Sequence, residues 1–185
     1  MNIPSIEYSR NAVTSRLHHL ATVVRDQNTT REFMEDVLGF PLVATWCEKA
    51  YLKDLGASHE YCHTFYALDD GSALAFFQFS DPTMYERCQP RQAAEIRRFG
   101  HVAIRVSSER QAAVRERLKR HGGPHRDVDH GYCQSLYTTT PDGLDVEFTV
   151  DAANAAELWA QRRIDPHAEL SRWMSGDHTV NNDHR

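Results

Sequence analysis

Three residues in this chain have the types and spacing to share one metal ion: His19, His101 and Glu147. His19 opens the apolar run HLATVV and His101 opens HVAIRV, and a helical pattern follows each, Thr29 to Leu38 and Ser108 to His121. The two histidines thus mark copies of an internal repeat, strand then helix then several strands, beginning 82 residues apart. Glu147 lies in the last strand-like run of the second copy, Leu144 to Val150. Period-two alternation puts Leu144, Val146 and Phe148 on one side and Gly143, Asp145, Glu147 and Thr149 on the other, so the carboxylate points away from the apolar side. Alone, such a glutamate reads as an exposed residue on a half-wet sheet, and the histidines as strand-end groups bound to backbone carbonyls. Two imidazoles in equivalent places and one carboxylate instead make a set that suits a divalent metal with open coordination positions.

The elements that must position these groups are legible in outline. Strand one is expected over Leu17 to Val24, then a helix capped by Asn28 or Thr29, with Phe33, Val37 and Leu38 on its apolar side and Gly39 at its end. Phe40 to Cys47 reads as the second strand. Glu48 to Glu60, polar and glycine-containing, reads as a loop and a candidate lid. Cys62 to Leu68 and Ser72 to Phe79, joined by Asp69-Asp70-Gly71, form a hairpin, and ALAFFQF within it is apolar enough to be buried on both faces. In the second copy the order is Phe99 to Val106, the helix to His121, a Gly122-Gly123-Pro124 break, a short segment around His125 to Val128, and a hairpin of Cys133 to Tyr137 and Leu144 to Val150 about Pro141-Asp142-Gly143. Helices over Ala152 to Arg163 and His167 to Met174 follow, then a polar tail, Ser175 to Arg185, frayed or draped on the surface.

Composition narrows the classes. At 185 residues the chain is one compact domain or two small modules sharing a core. With 21 basic against 26 acidic residues it has a net charge of -5, and no basic stripe points to nucleic acid. No apolar run approaches the ~20 residues of a membrane span. Cys47, Cys62, Cys88 and Cys133 show no CxxC pairing, and the N-terminus lacks a basic region followed by an apolar one, so reduced thiols in a cytoplasmic protein are expected. Trp46, Trp159 and Trp173 read as core or interface residues, and His121, His125, His167, His178 and His184 as surface residues.

From Leu17 to Val150 the arrangement resembles the vicinal oxygen chelate superfamily of glyoxalases, fosfomycin- and bleomycin-resistance proteins and extradiol ring-cleavage dioxygenases. The resemblance implies an α+β fold: two tandem βαβββ modules whose curved mixed sheets enclose a metal-binding cavity, with C-terminal helices added. The boundaries are then 1–16 for a polar arm, 17–80 for the first module, 81–98 for a connector, 99–150 for the second module and 151–185 for the helical extension and tail. Such proteins take metal ligands from the first strand of each module and the last strand of the second, the places held here by His19, His101 and Glu147. His18 adjoins His19, and the alignment with His101 favours His19. The stretch Val128, His130, Leu136-Tyr137, Thr140-Pro141-Asp142-Gly143 and Glu147 looks most like the extradiol dioxygenase signature. That likeness implies His130 and Tyr137 as groups that hydrogen-bond the substrate oxygen and help place dioxygen.

One departure stands out. Two-domain extradiol enzymes are expected to carry a cavity histidine in the last strand of the earlier module, and Ser72 to Phe76 holds none; His63 or His130 could serve instead. Gln78 is a candidate fourth ligand of the kind some glyoxalase relatives use. The expected activity is cleavage of a catechol-like diol by O2 on Fe(II), with Phe65, Phe77, Trp46 and Phe148 as the wall around the ring. With Mn(II), Ni(II) or Zn(II), the same ligands would support isomerase, lyase or epimerase chemistry of glyoxalase type. A binding or resistance protein without turnover is a third reading. The partners expected are a small oxygen-chelating substrate, O2 and a second copy of the chain as a homodimer.

Overall fold

The computed structural model describes residues 17–88, 100–162, 164 and 166–179. Contacts group the chain into two compact units that change over at residue 90, with Glu35–Gly39 grouped with the second. The first carries a mixed four-stranded sheet of order β1-β4-β3-β2, built from β1 (His19–Val23), β2 (Leu42–Leu52), β3 (Ala57–Ala67) and β4 (Ala73–Phe79). The second repeats that topology as β5-β8-β7-β6, from β5 (His101–Arg105), β6 (His125–Asp129), β7 (Cys133–Thr139) and β8 (Asp145–Asp151). In each, the first strand runs parallel to the last, because a helix crosses over between them. The expected α+β class with paired strand-helix-strand modules and added C-terminal helices is what the chain adopts.

Between β1 and β2 the chain forms α1 (Gln27–Arg31) and then a π-helical stretch, Glu32–Leu38. Its N-cap is Asp26, whose carboxylate accepts from the Thr29 backbone N–H at 2.7 Å, and not Asn28 or Thr29. The wider π pitch turns Met34 into the core beside Val37 and Leu38, while Phe33, expected there, is only half-buried. Arg110 and Arg117 satisfy the carbonyls that the stretch leaves open, Arg110 at Gly39 O (2.7 Å) and Arg117 at Leu38 O (3.2 Å).

The expected loop from Glu48 to Glu60 is not a loop. β2 and β3 run on as an antiparallel ribbon pairing Glu48 with Tyr61, Lys49 with Glu60 and Leu52 with Ala57, closed by a single turn over Lys53–Leu55 and by Gly56 at φ +66°. Its residues are polar because the ribbon is wet, and Lys49 bridges to Glu60 at 3.0 Å. The expected connector also begins with structure: α2 (Thr83–Cys88), capped by Asp81, buries Met84 and Tyr85. The arm at 1–16 and the rest of the connector to residue 98 lie outside the described residues.

In the second unit α3 (Ser108–His121) is capped by the Ser107 hydroxyl and buries Val114 and Leu118. Val146, Phe148 and Leu136 fill the core on the α3 side of the sheet. The β7-β8 hairpin turns on Gly143 at φ +88°, whose N–H donates to Thr140 O while the Thr140 N–H donates to Leu144 O. Then come α4 (Ala155–Arg162) and α5 (Pro166–Met174). Arg172 of α5 donates to the carbonyls of Asp177 and Thr179, so this part of the tail is held against the helix and does not fray. Trp46 is 59% exposed, and Trp159 and Trp173 are about half exposed, which excludes the core reading for all three.

Candidate metal centre

Register places the chemistry of the second unit in one row across its sheet. Ala103 of β5 pairs with Glu147 of β8, Glu147 with Tyr137 of β7, and Tyr137 with Arg126 of β6. Paired residues share a face. His101, two residues before Ala103, shares it too, and its Nε2 lies 2.8 Å from Glu147 Oε2. His130 follows β6 and reaches in from the end of the sheet, with its backbone N–H donating to Cys133 O. Its Nε2 stands 3.0 Å from the Tyr137 hydroxyl and 3.7 Å from Glu147 Oε1. Glu147 itself is 5% exposed.

Burial and then the hydrogen bond to Glu147 push the Tyr137 phenol well above its ordinary range, against the Arg126 guanidinium, which lies 4.0 Å from the ring centroid. Tyr137 therefore keeps its proton and donates it to the carboxylate. With that proton committed, His130 is the donor to the phenol oxygen. The result is a hydrogen-bonded chain, His130 to Tyr137 to Glu147, beside His101. Behind His130 stands Tyr132, its ring stacked at 5.9 Å, and Tyr132 in turn meets Trp159 of α4 edge-on.

His19 belongs to the first unit. Pairing with Ala73 puts it on the face that carries Ala75 and Phe77 of β4 and His63 and Phe65 of β3. That face is aromatic: His19 meets Phe65 edge-on at 5.4 Å, and His63 stacks on Phe77 at 3.6 Å. Among the described residues, His63 Nε2 is buried with no hydrogen-bond partner. Burial, with His19 nearby, lowers the pKa of His63 and keeps the ring neutral around pH 7. The exposed His18 ring contacts His19 through an Nδ1 to Nδ1 approach of 2.7 Å.

Two expectations about the surroundings need correction. Gln78 alternates onto the face opposite Phe77 and His19, where its side-chain oxygen accepts from the Gln27 backbone N–H at 2.7 Å. It serves the start of α1 and offers nothing to the His19 face. Phe148 likewise alternates away from Glu147 into the α3 core, so it does not line the ligand face. Arg126 went unnoticed in the sequence, where β6 is too short and charged to read. Counting back across the hairpin from Tyr137 would have found it.

Among the described residues, no group of three or more His, Cys, Asp or Glu side chains is arranged to hold a metal ion. Two of the three expected donors, His101 and Glu147, converge in the second unit, while His19 stands on the sheet of the first. The donor chemistry still fits a divalent cation. A buried carboxylate needs a compensating positive charge, and the ion-pair partners of Glu147 among the described residues are two imidazoles, charged only when protonated.

Residues 16–148 match the family described as Glyoxalase/Bleomycin resistance protein/Dioxygenase superfamily. No curated protein matches the sequence. Among solved structures, a glyoxylase/bleomycin resistance protein/dioxygenase domain from Frankia sp. EAN1pec aligns with a TM-score of 0.56 at 14% identity, over 75% of this chain and 93% of that one. A mutant of the fosfomycin resistance protein FosX from Listeria monocytogenes, complexed with Mn(II) and 1S,2S-dihydroxypropylphosphonic acid, aligns with a TM-score of 0.51 at 17% identity, over 77% and 97%. The oxidase ChaP-H2 aligns with a TM-score of 0.51 at 14% identity, over 75% and 95%. At these identities the likeness is one of fold.

Proposed function

The chain belongs to the Glyoxalase/Bleomycin resistance protein/Dioxygenase superfamily, and from that premise we propose that it is a metal-dependent dioxygenase of extradiol type. In this reading His19, His101 and Glu147 hold a divalent ion, Fe(II) in the first instance. The ion, when bound, would supply the Lewis acidity that draws an aromatic diol and O2 into reaction. Both atoms of O2 enter the product as a ring C–C bond beside a hydroxyl breaks. Tyr137, held protonated, would turn its O–H from Glu147, once that carboxylate holds the ion, to a substrate oxygen and does not act as a base. His130, whose Nε2 N–H donates to the phenol, would pass a proton on through the Tyr137 hydroxyl and take one back. His63, neutral and with Nε2 unpartnered, is a second proton acceptor, and Phe65 and Phe77 offer an apolar wall to a ring.

The observation that carries this reading is the buried carboxylate of Glu147, faced by two imidazoles and a proton-holding phenol. A non-oxidative reaction of glyoxalase type is favoured by a different observation: on β4 the positions facing with His19 are Ala73, Ala75 and Phe77, none of which moves a proton. Elemental analysis of anaerobically purified protein, followed by a catechol panel with an oxygen electrode, separates the two. Iron with stoichiometric O2 uptake is expected. Mn, Ni or Zn with no O2 uptake on any diol would sink the dioxygenase reading and leave the other.

A further inference from the structure

The first unit carries a second constellation on the opposite side of its sheet from His19. Register sets Cys47 of β2 directly opposite Cys62 of β3, next to the Trp46 and His63 pair but on the other face. An antiparallel pair of either hydrogen-bonding type holds its Cα atoms about 4.5–5.5 Å apart, inside the roughly 4.4–6.8 Å that a disulfide spans. Both thiols are free, Cys47 exposed and Cys62 half-buried. They line a cavity of about 570 Å³ together with Gln27, Glu60 and Gln78, which gives small solutes access to them. No step of the metal chemistry uses them.

We propose that Cys47 and Cys62 form a peroxide-responsive dithiol that closes to an intrachain disulfide across the β2-β3 ribbon. Cys47, the more accessible thiol, is the first to react. Its sulfur attacks one oxygen of a hydroperoxide, an S–O bond forms, the O–O bond breaks, and the other oxygen takes up the Cys47 thiol proton and leaves as water (or as the alcohol, from an organic hydroperoxide). The Cys62 sulfur then attacks the Cys47 sulfenic acid, an S–S bond forms, the S–O bond breaks, and the Cys62 proton departs with the hydroxide as water. With hydrogen peroxide, two thiols lose two electrons and one peroxide becomes two waters. Burial, with Cys47 beside it, raises the pKa of the Cys62 thiol, which fits the resolving role and not the attacking one. The cross-link would fix the register of the ribbon one residue away from His63.

The test uses the full chain, reduced, freed of reductant and titrated with hydrogen peroxide. Free thiols counted after denaturation are expected to fall from four to two, with peptides bearing Cys47 and Cys62 recovered as one species two hydrogens lighter, and dithiothreitol is expected to restore all four. Cys62→Ser should leave a Cys47 sulfenic acid that dimedone traps, whereas Cys88→Ser should close normally. A thiol count that stays at four while free cysteine in the same solution oxidises would overturn the proposal, and so would a linkage through Cys88 or Cys133 or between chains. Thiol counts and linkage mapping on the unmutated chain decide the matter even if a variant fails to fold.

Discussion

The two units share a topology, and position by position they differ where chemistry is concerned. In the second, the row Ala103, Glu147, Tyr137, Arg126 crosses the sheet; at the same register in the first stand Ala21, Ala75, Phe65 and Ala44. Carboxylate, phenol and guanidinium are replaced by alanine, phenylalanine and alanine. The histidine that opens each unit persists, His19 paired with Ala73 and His101 with Asp145. So does a clamp on the other face: Gln27 Nε2 donates to Phe76 O at 2.9 Å, and Gln111 Nε2 to Phe148 O at 2.8 Å. One scaffold thus carries a row of charged and proton-holding groups in one copy and an apolar row in the other. In the proposed reaction the copies would divide the labour between gripping a ring and handling protons.

Substitutions that convert one row into the other put this to work. Glu147→Ala gives the second unit the residue the first has at Ala75; bound metal and turnover are expected to fall to background, read by elemental analysis and O2 uptake. Full metal occupancy in that variant would remove Glu147 from the ligand set. Tyr137→Phe copies Phe65. It should leave metal content and melting behaviour intact while turnover drops roughly 10² to 10⁴-fold, the scale of a lost positioned donor. Wild-type turnover would return Tyr137 to a packing role.

The clamps should respond alike. Gln111→Leu removes the side-chain bonds to Phe148 O and Gln134 O and is expected to cost about 1–3 kcal/mol in urea unfolding. Gln27→Leu should fall at the low end of that range, because the Thr64 hydroxyl, which donates to Gln27 Oε1 at 2.9 Å, is then released to Phe76 O, 3.4 Å away. A negligible loss for Gln111→Leu would break the equivalence.

The smallest effect concerns helix starts. Bonds from the Thr29 N–H and hydroxyl lower the pKa of Asp26 below the ordinary 3.8. The carboxylate binds fewer protons folded than unfolded, so its contribution is complete above the unfolded pKa and is lost as pH falls through the folded one. Being exposed, it contributes little. Asp26→Ala should therefore melt slightly earlier near neutral pH and converge with the parent in strong acid, whereas Ser107→Ala, at the equivalent cap, should keep part of its loss in acid, where the hydroxyl still caps Arg110 N–H, and shed only the small part by which Ser107 holds the Glu109 carboxyl below its ordinary range.

The repeat, the opening histidines, α3 and the β7-β8 hairpin were legible because apolar periodicity, glycine and proline mark them directly. The ribbon was not, because residues wet on both sides carry no alternation, and Glu48 to Glu60 looks like any polar loop. The π stretch escaped for a related reason: a period of 3.6 assigns Phe33 to the core, and the wider winding delivers Met34. In the site, the meeting of Tyr137 with Glu147 follows from a short hairpin whose register the turn fixes. Arg126 and the orphaned His63 nitrogen depend on a third strand and on ring stacking, neither of which a one-dimensional pattern encodes.

The wet ribbon has one more consequence. β2 is an outer strand of its sheet, eleven residues long, and among the described strands only β3 pairs with it. Such an edge can template pairing with another chain, and Val43, Trp46 and Tyr51 stand exposed along it. A bulge between Leu42 and Ala44 breaks its regularity, and Glu48 and Lys49 put charge in the middle of the strand. Neutralising those two would leave an uncharged β-forming segment free to add copies of itself edge to edge. The charges that disguise the ribbon as a loop are of the kind that discourages edge-to-edge pairing between molecules.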